Sequence, residues 1–263
     1  MKADGTEAFV VRSEAMRLLV AIDDTDNLES VGTGVLASML SESLFLNGWG
    51  NGGHVTRHQM LVHPDIPYTS HNSAMCFPAE IKGGCMEAFV TFAIAFLQKE
   101  SAPGSDPGLC VVNIDRLLSP DELMAFGHDA KNKVLMKADA YEIANRLRVH
   151  LSEHGGTGQG VIGALAAVGL RLTGNDGRFK GHFKIESADG IVTPAEIKRQ
   201  THVEVVQSIE GRLLKENEKI RLGKKVKAVL LSGKSTLLVN NIESEENGSV
   251  QWETCSKQQL RVY

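Results

Sequence analysis

The chain has 263 residues, of which 42% are hydrophobic and 23% are charged, and its formal net charge is -4 at pH 7. This composition is ordinary for a globular protein with a large core, and the net charge excludes a uniformly basic nucleic-acid coat. The cysteines form no C-x-x-C pair, which removes the usual zinc-ribbon signal, and a disulfide framework is not expected at this length. The most apolar helical stretch, residues 86–97, is too short to span a bilayer, and we find no secretory signal, so we expect a cytoplasmic protein.

The first predicted strand, at residues 18–22, ends in three carboxylates within four residues, Asp23, Asp24 and Asp26. Such like charges repel one another unless a cation lies among them. A buried strand that ends in polar side chains before a loop and a helix is how open α/β sheets build ligand sites. We therefore expect a metal or metal–nucleotide site here. The alternative is a solvated turn, because Asp and Asn are common turn residues.

The elements that follow are read from turn residues and hydrophobic spacing. Residues 1–15 lack periodicity and are expected to be a flexible leader. A helix is predicted from residue 35, then a glycine-rich turn at 48–53, a strand at 55–62, a polar loop with two prolines at 63–72 and a strand at 73–81. Next come a helix at 84–100, a strand at 109–114, a helix from 120 to about 126 and a longer helix at 138–153. From about residue 191, short β-like runs between charged turns predict a small all-β module.

A second stretch of interest, Gly155-Gly156-Thr157-Gly158-Gln159-Gly160, precedes an apolar helix from Val161. Glycines let the backbone approach a phosphate, and a helix N-terminus favours an anion. Glycine-rich helix starts also occur purely for packing. The spacing matches neither the P-loop nor the dinucleotide-binding pattern, and no strand is predicted before it.

Two other motifs are similar to known sites of phosphate chemistry. Gly233-Lys234-Ser235 is rejected as a P-loop, because Ala228 stands where the motif needs glycine and a strand is predicted afterwards. The Asp24-Thr25-Asp26 string is similar to the D-x-D motif of haloacid-dehalogenase-like phosphatases, in which the first Asp is a nucleophile, but Leu28 breaks the pattern.

The histidines His54, His58, His63 and His71 fall within one stretch of eighteen residues. Their spacing matches no zinc pattern, so histidines in loops and on strand faces are the commoner interpretation. Arg57 is the stronger candidate for phosphate contact, because a guanidinium offers bidentate donors.

Three collinear blocks carry a resemblance to a known family. They are IDDTDNLESVGTGVLA from residue 22, HPDIPYTSHNSAM from residue 63 and GQGVIGALAAVG from residue 158. They are similar to the patterns I-D-D-T-D-S, N-P-x-I-P-x-K-T-R-G-N-x-A and G-x-G-x-I-G-A-L-A-A-x-G. Over about residues 17–169 the chain resembles the archaeal isoleucine-tRNA agmatinylcytidine synthetases, also called agmatidine synthases.

Members of that family use ATP and Mg2+ to activate the C2 oxygen of a tRNA cytidine by phosphoryl transfer, and then displace it with agmatine. The resemblance implies that Asp23, Asp24 and Asp26 bind metal and phosphate, that Asp24 is catalytic, and that Thr33 lies where the family has a threonine proposed to receive a phosphoryl group. Positioned Mg2+ and charge-neutralising donors suffice for such chemistry. The remaining residues that the resemblance assigns to the nucleotide are Thr25, Gly32, Gly34, Asn72, Gly156, Gly158 and Gly160.

The chain departs from that family in two respects. The family carries a zinc ribbon and an OB-type module, whereas this chain has no zinc cysteines and only about seventy residues after the predicted core, which ends at residue 190. The Lys-Thr-Arg-Gly of the second pattern is Thr69-Ser70-His71-Asn72 here, so two cationic side chains are missing. The acceptor therefore stays open between RNA and a small molecule, and a non-catalytic nucleotide sensor or RNA-binding module is a third hypothesis.

We therefore predict a mixed α/β (α+β) fold and no membrane association, and the resemblance implies an ATP-dependent ligase or kinase-like phosphotransferase. A kinase-like ATP-binding core is expected at residues 16–75 and 155–190, a ferredoxin-like portion at 76–154 and a small β module at 191–263. Candidate partners are a nucleotide, tRNA or other RNA, and a second copy of the chain. A basic run in the β module favours RNA as strongly as it favours a solvated turn: Lys215, Lys219, Arg221, Lys224, Lys225 and Lys227.

Overall fold

The computed structural model describes residues 15–66, 72–242 and 250–263. Residues 1–14 of the expected leader at 1–15, and residues 67–71 of the second motif, lie outside the described residues. In these described parts the chain has six α-helices and thirteen strands that join in one sheet. No helix of these parts is both long and apolar enough to cross a membrane.

The first half of the sheet is centred on β1. Its strands are β1 (Met16–Asp23), β2 (Gly50–Gly52), β3 (Thr56–Gln59), β4 (Ser73–Ile81), β5 (Gly108–Asn113) and β6 (His150–Glu153). β1 pairs antiparallel with both β4 and β5, and successive β1 side chains pack on opposite faces. Because both faces are covered, the strand is continuously apolar from Leu18 to Ile22.

Five helices cover the two faces of this half-sheet. They are α1 (Thr33–Leu46), α2 (Met86–Glu100), α3 (Pro120–Asn132), α4 (Lys137–Leu147) and α5 (Gly160–Leu172). α1 and α2 pack against one face, and α3, α4 and α5 pack against the other. α3 and α5 meet closely at two glycines, since a Cβ at Gly127 would approach the backbone of Leu170 to 2.7 Å and one at Gly169 would overlap the carbonyl of Leu123. The small apolar residues of α5 are therefore core residues, as their sequence pattern indicates.

The C-terminal half continues the same sheet. It contains β7 (Arg178–Phe179), β8 (Ile191–Val192), α6 (Pro194–Gln200), β9 (Val205–Ser208), β10 (Ile220–Arg221), β11 (Ala228–Leu231), β12 (Lys234–Asn241) and β13 (Trp252–Thr254). β7 pairs antiparallel with β3 on one side and with β11 on the other, and so joins the two halves. A separate cluster of buried apolar residues forms the core of this half.

A buried polar network fixes the junction between the halves. The His58 side chain is fully buried, with Nε2 2.7 Å from the Thr56 hydroxyl and Nδ1 2.9 Å from Asp176. Asp176 also pairs with Lys131 of α3. Burial lowers the pKa of His58, and the bond to Asp176 opposes that shift. Because every member has a partner, the network is structural.

The structure corrects three sequence-based expectations. The predicted helix at residues 138–153 ends at Leu147, because Arg148 adopts a left-handed conformation with φ of 56°, and His150–Glu153 then forms β6. The predicted glycine-rich turn at 48–53 includes the short strand β2. The predicted all-β module contains α6, whose start is stabilised by a capping box between Thr193 and Glu196.

Two other expectations concern organisation. The rejection of the Gly233-Lys234-Ser235 string as a P-loop is confirmed, because it forms the β11–β12 hairpin rather than a helix start. β4 runs across the expected boundary at residue 75, and the first half of the sheet takes strands from both sides of that boundary. The division into a kinase-like core and a ferredoxin-like portion therefore stays a prediction, while the mixed α/β class is observed.

Candidate functional site

A cavity of about 590 Å3 opens at the C-terminal end of β1, between the N-termini of α1 and α5. It brings together residues from all three motif blocks, which lie far apart in the sequence. The sequence-predicted residues on its wall are Asp23, Asp24, Asp26, Gly32, Thr33, Gly34, Arg57, Asn72 and Gly160.

The first wall is the start of α1. Gly32 is the N-cap residue and offers no side-chain cap, so the Asp26 carboxylate accepts a hydrogen bond from the Thr33 backbone N–H at 3.3 Å. Thr33 is only 5% exposed, yet it lies on the cavity wall. The positive end of α1 therefore faces the cavity, with Asp26 bound at its first turn.

The second wall is the start of α5, which approaches the acidic strand end without intervening side chains. A Cβ at Gly160 would overlap the carbonyl oxygen of Asp106, and a Cβ at Gly163 would overlap the Asp23 carboxylate. Glycine is therefore needed at both positions for α5 to lie this close to β1. The N-termini of two helices thus face one cavity, an arrangement that favours an anionic ligand.

The acids at the end of β1 have strongly perturbed protonation. Burial, with repulsion from Asp24 and Asp26, raises the pKa of Asp23 to about 8, against an opposing hydrogen bond from the Asp24 backbone. Burial and repulsion from Asp106 and Asp26 raise the pKa of Asp24 to about 6. Asp24 has φ of 50°, in the left-handed region that Asp and Asn tolerate better than most residues. At neutral pH the Asp23 carboxyl is therefore largely protonated.

Asp106 is a site residue that the sequence reading missed. It lies in the loop before β5, and the antiparallel pairing of Asp23 with Gly108 brings that loop beside the end of β1. Its carboxylate accepts hydrogen bonds from the Thr157 backbone N–H and, at 2.5 Å, from the Thr157 hydroxyl. A Cβ at Gly156 would overlap this carboxylate. Part of the glycine loop therefore binds a carboxylate of the chain itself.

Three residues predicted to bind the nucleotide are not on the cavity wall. Gly156 and Gly158 have φ of 55° and 76°, so they shape the loop around Asp106 and Glu153. Thr25 is fully buried, and its hydroxyl has no hydrogen-bond partner. Thr157 and Gln159 of the loop do line the cavity, whereas Gly160 is the one loop glycine on its wall.

The remaining wall combines polar and apolar side chains. The Arg57 Nε donates to the Ser73 hydroxyl at 2.8 Å, and burial followed by the nearby Arg178 lowers the Arg57 pKa. The Asn72 amide donates to the Leu61 carbonyl at 2.6 Å, which fixes the start of β4 at the cavity edge. The apolar side chains on this wall are Met60, Ile66, Met75, Val134, Leu135, Met136 and Ile162.

The metal prediction needs one correction. Within residues 15–66, 72–242 and 250–263, no group of three or more His, Cys, Asp or Glu side chains could hold a metal ion. The expected trio of Asp23, Asp24 and Asp26 is not assembled, because Asp26 binds the start of α1. Mg2+ is usually held by one or two carboxylates together with substrate phosphates, so the donor chemistry of Asp23 and Asp24 fits it.

Within its described residues, 54–66, the histidine stretch forms no metal-binding group. His58 is bonded inside the core, and the His54 ring stacks on His202 with centroids 3.7 Å apart. His63 is near Asp65, and His71 lies outside the described residues. The interpretation of these histidines as structural is thus supported for the three that the structure describes.

The fold and cavity define a mixed α/β protein in which two helix N-termini and two acids with raised pKa values meet at one cavity. No protein-family model matches the chain. It is 29% identical to the tRNA 2-agmatinylcytidine synthetase TiaS of Methanosarcina mazei over 195 residues, which cover 71% of this chain and 44% of that protein. It is 30% identical to TiaS of Methanosarcina acetivorans over 162 residues, 59% of this chain and 36% of that protein.

Solved structures agree with this assignment. A TiaS complex with an isoleucine tRNA and ATP matches at 28% identity and a TM-score of 0.51, over 59% of this chain and 36% of that chain. The TiaS structure without ligands matches at 26% identity and a TM-score of 0.50, over 59% and 35%. The resemblance to the tRNA agmatinylcytidine synthetases is therefore confirmed over 59% to 71% of this chain. The chain spans less than half the length of the curated relatives it matches.

Proposed function

We propose that this chain is an enzyme that binds ATP with Mg2+ in the main cavity and transfers the γ-phosphoryl group to activate a cytidine in an RNA. The observation that carries the proposal is the convergence of three motif blocks on one cavity with two helix N-termini and perturbed acids. The relatives support it, because they are named as tRNA-modifying synthetases, and one related structure contains ATP and tRNA.

The phosphate tail of ATP would lie between the starts of α1 and α5. Backbone N–H groups at helix starts donate to phosphate oxygens, and Arg57 adds a guanidinium on the facing wall. Lys180 approaches the same end of α1, since its side-chain carbons lie 3.4 Å from the Cβ position of Gly34. The apolar side chains of the cavity wall suit the flat face of a base.

Asp23 and Asp24 would hold Mg2+, and the bound ion would neutralise charge on the reacting phosphate oxygens. Asp106, which Thr157 holds by a hydrogen bond, lies close enough to Asp24 for its charge to raise the Asp24 pKa. Thr33 lies at the first turn of α1, where its hydroxyl can reach the terminal phosphate. The chain's own residues therefore orient the phosphates and exclude water from the acidic end.

Turnover of ATP by the purified chain tests the proposal. We expect ATP consumption that depends on Mg2+ and rises when bulk tRNA and agmatine are supplied together. Asp24→Asn keeps the residue shape and the left-handed conformation, so it should abolish turnover while the protein stays folded. Asp121→Asn, an exposed acid at the start of α3, is the matched control.

Two results would decide between the hypotheses. ATP turnover that tRNA does not change, but that a small acceptor increases, would replace the RNA acceptor with a small molecule. Tight ATP binding with no turnover under any of these conditions would favour a nucleotide sensor. Absence of ATP binding would refute the proposal as a whole.

A further inference from the structure

A second, smaller cavity of about 120 Å3 lies beside the main one, where β3 and β7 meet the C-terminal residues. Five of its nine lining residues are cationic, and none is acidic: the cations are Arg57, Arg178, Lys180, Lys227 and Lys257. Met75, Phe179, Gly181 and Leu260 complete the wall. Such a concentration of one charge is unexpected in a chain whose net charge is -4.

The charges of this cluster are not neutralised within the described parts of the chain. None of the five cations forms an ion pair there, and Lys180 only donates to the Ser38 hydroxyl at 3.0 Å. Burial, Arg178 and Lys257 all lower the pKa of Lys227, and burial and Arg261 lower the pKa of Arg178. Asp26 and Asp176 act on single members of the cluster in the opposite direction. The five positive charges are therefore held close together, and no described carboxylate forms an ion pair with any of them.

The two cavities are in contact. Arg57 and Met75 line both of them. Lys180 lies between the second cavity and the start of α1, because it packs on Gly34 and donates to Ser38. An anion in the second cavity would thus lie next to the position proposed for the ATP phosphates.

We propose that this cationic cavity binds a backbone phosphate of the RNA acceptor and so places the neighbouring nucleotide at the main cavity. The inference rests on the proposed function and extends it to residues outside the three motif blocks. An RNA fits better than the ATP tail for two reasons. The cluster continues to solvent through exposed Lys257, Lys225 and Arg261, as an extended polyanion requires. The two helix starts already supply donors for the triphosphate.

The test is RNA binding by the full chain across a range of salt concentrations. The double variant Lys227→Gln/Lys257→Gln removes one charge at a partly buried position and one at an exposed position. The single variant Lys257→Gln changes only the exposed position, so it shows whether a folding defect of the double variant causes the loss of binding. Lys99→Gln, an exposed lysine on α2, is the charge-matched control. The probes are bulk tRNA and, separately, ATP with Mg2+.

We expect the double variant to bind bulk tRNA about tenfold more weakly, and to reduce the slope of log affinity against log salt by about 1.5, since each lost single-strand phosphate contact removes about 0.7. Lys257→Gln should give about half the change in slope, and ATP affinity should stay at the wild-type value. Unchanged tRNA affinity and slope in the double variant, or no tRNA binding by the wild type, would overturn the inference.

Two further outcomes separate this inference from the proposed function. Weaker ATP binding with unchanged tRNA binding would assign the cluster to the nucleotide phosphates and overturn the inference. No ATP binding by the wild type, together with the expected loss of tRNA binding in the double variant, would refute the ATP-dependent function and support the phosphate site.

Discussion

The perturbed acids predict that binding of Mg-ATP releases a proton. Asp23 has a pKa of about 8 because it is buried beside Asp24 and Asp26. A carboxyl with that pKa is protonated in about nine molecules of ten at pH 7, since each pH unit below the pKa changes the ratio of ionised to protonated forms tenfold. The cation can use this ligand only after the proton leaves. Binding should therefore release close to one proton per site at pH 7.

The same argument sets the pH dependence of affinity. The ionised fraction of Asp23 rises about fivefold between pH 7 and pH 8 and about tenfold between pH 7 and pH 9, and the affinity for Mg-ATP should rise by the same factors. Asp24, with a pKa of about 6, is already mostly ionised in this range. Calorimetric titration in two buffers with different ionisation enthalpies measures the released protons directly.

Asp23→Asn is the variant that tests the assignment. It removes the titrating group, so both the proton release and the rise in affinity with pH should disappear, and Mg-ATP should bind more weakly above pH 8. Without ligand, the variant should be more stable than the wild type at pH 8, because a carboxyl whose folded pKa is raised loses stability as pH rises through that pKa. A wild-type protein that binds Mg-ATP equally well at pH 7 and pH 9 without proton release would refute the reasoning, as would an Asp23→Asn variant with the wild-type pH profile.

Three more predictions concern single positions. Gly163→Ala places a Cβ on the Asp23 carboxylate and should weaken Mg-ATP binding about tenfold in a folded protein, measured by titration and circular dichroism; unchanged affinity would show that α5 does not approach the site this closely. Asp176→Ala leaves buried His58 without its acidic partner and should destabilise the fold by about 3 kcal/mol in urea denaturation, so a loss below about 1 kcal/mol would contradict the network. Burial lowers the pKa of His202 to about 4, so the free energy of unfolding should fall as pH drops from 6.5 to 4, because the unfolded chain binds the proton first. In His202→Gln the melting temperature should therefore depend less on pH over this range. An equal dependence in the variant and the wild type would assign the effect to another group.

The sequence was most informative where function depends on local patterns. The apolar run ending in acids predicted a buried strand with its polar end at a ligand site, and Asp23, Asp24, Thr33 and Gly160 indeed share one cavity. The helix from Gly160 followed from its small apolar residues, which only a close-packed position would need. These features are local in the sequence, so no knowledge of the tertiary fold was required.

The contribution of Asp106 depended on tertiary pairing and was missed. The surrounding residues, Pro103-Gly104-Ser105-Asp106-Pro107-Gly108, are typical of a plain loop. Only the antiparallel pairing of β1 with β5 brings this loop to the end of β1, beside Asp24. The loop glycines Gly156 and Gly158 were similarly assigned to the ligand, although the structure uses them to wrap the chain around acidic side chains.

The sequence predicts a basic run in the C-terminal half, but it does not predict the cavity that several cationic side chains line. Lys227 was noted within a basic stretch, while Arg178, Lys180 and Lys257 come from segments that gave no signal on their own. They meet because β7 pairs with both β3 and β11, and no short sequence window contains that arrangement.

The central claim is that the acids at the end of β1 form a Mg-dependent ATP site. Calorimetric titration of ATP into the wild type and Asp24→Asn, with Mg2+ and with Mg2+ removed by a chelator, tests this claim directly. The account predicts binding by the wild type that needs Mg2+ and that Asp24→Asn reduces at least about tenfold, since one carboxylate ligand and its charge are lost. Absence of binding, or binding that is equal with and without Mg2+ and in both proteins, would contradict it.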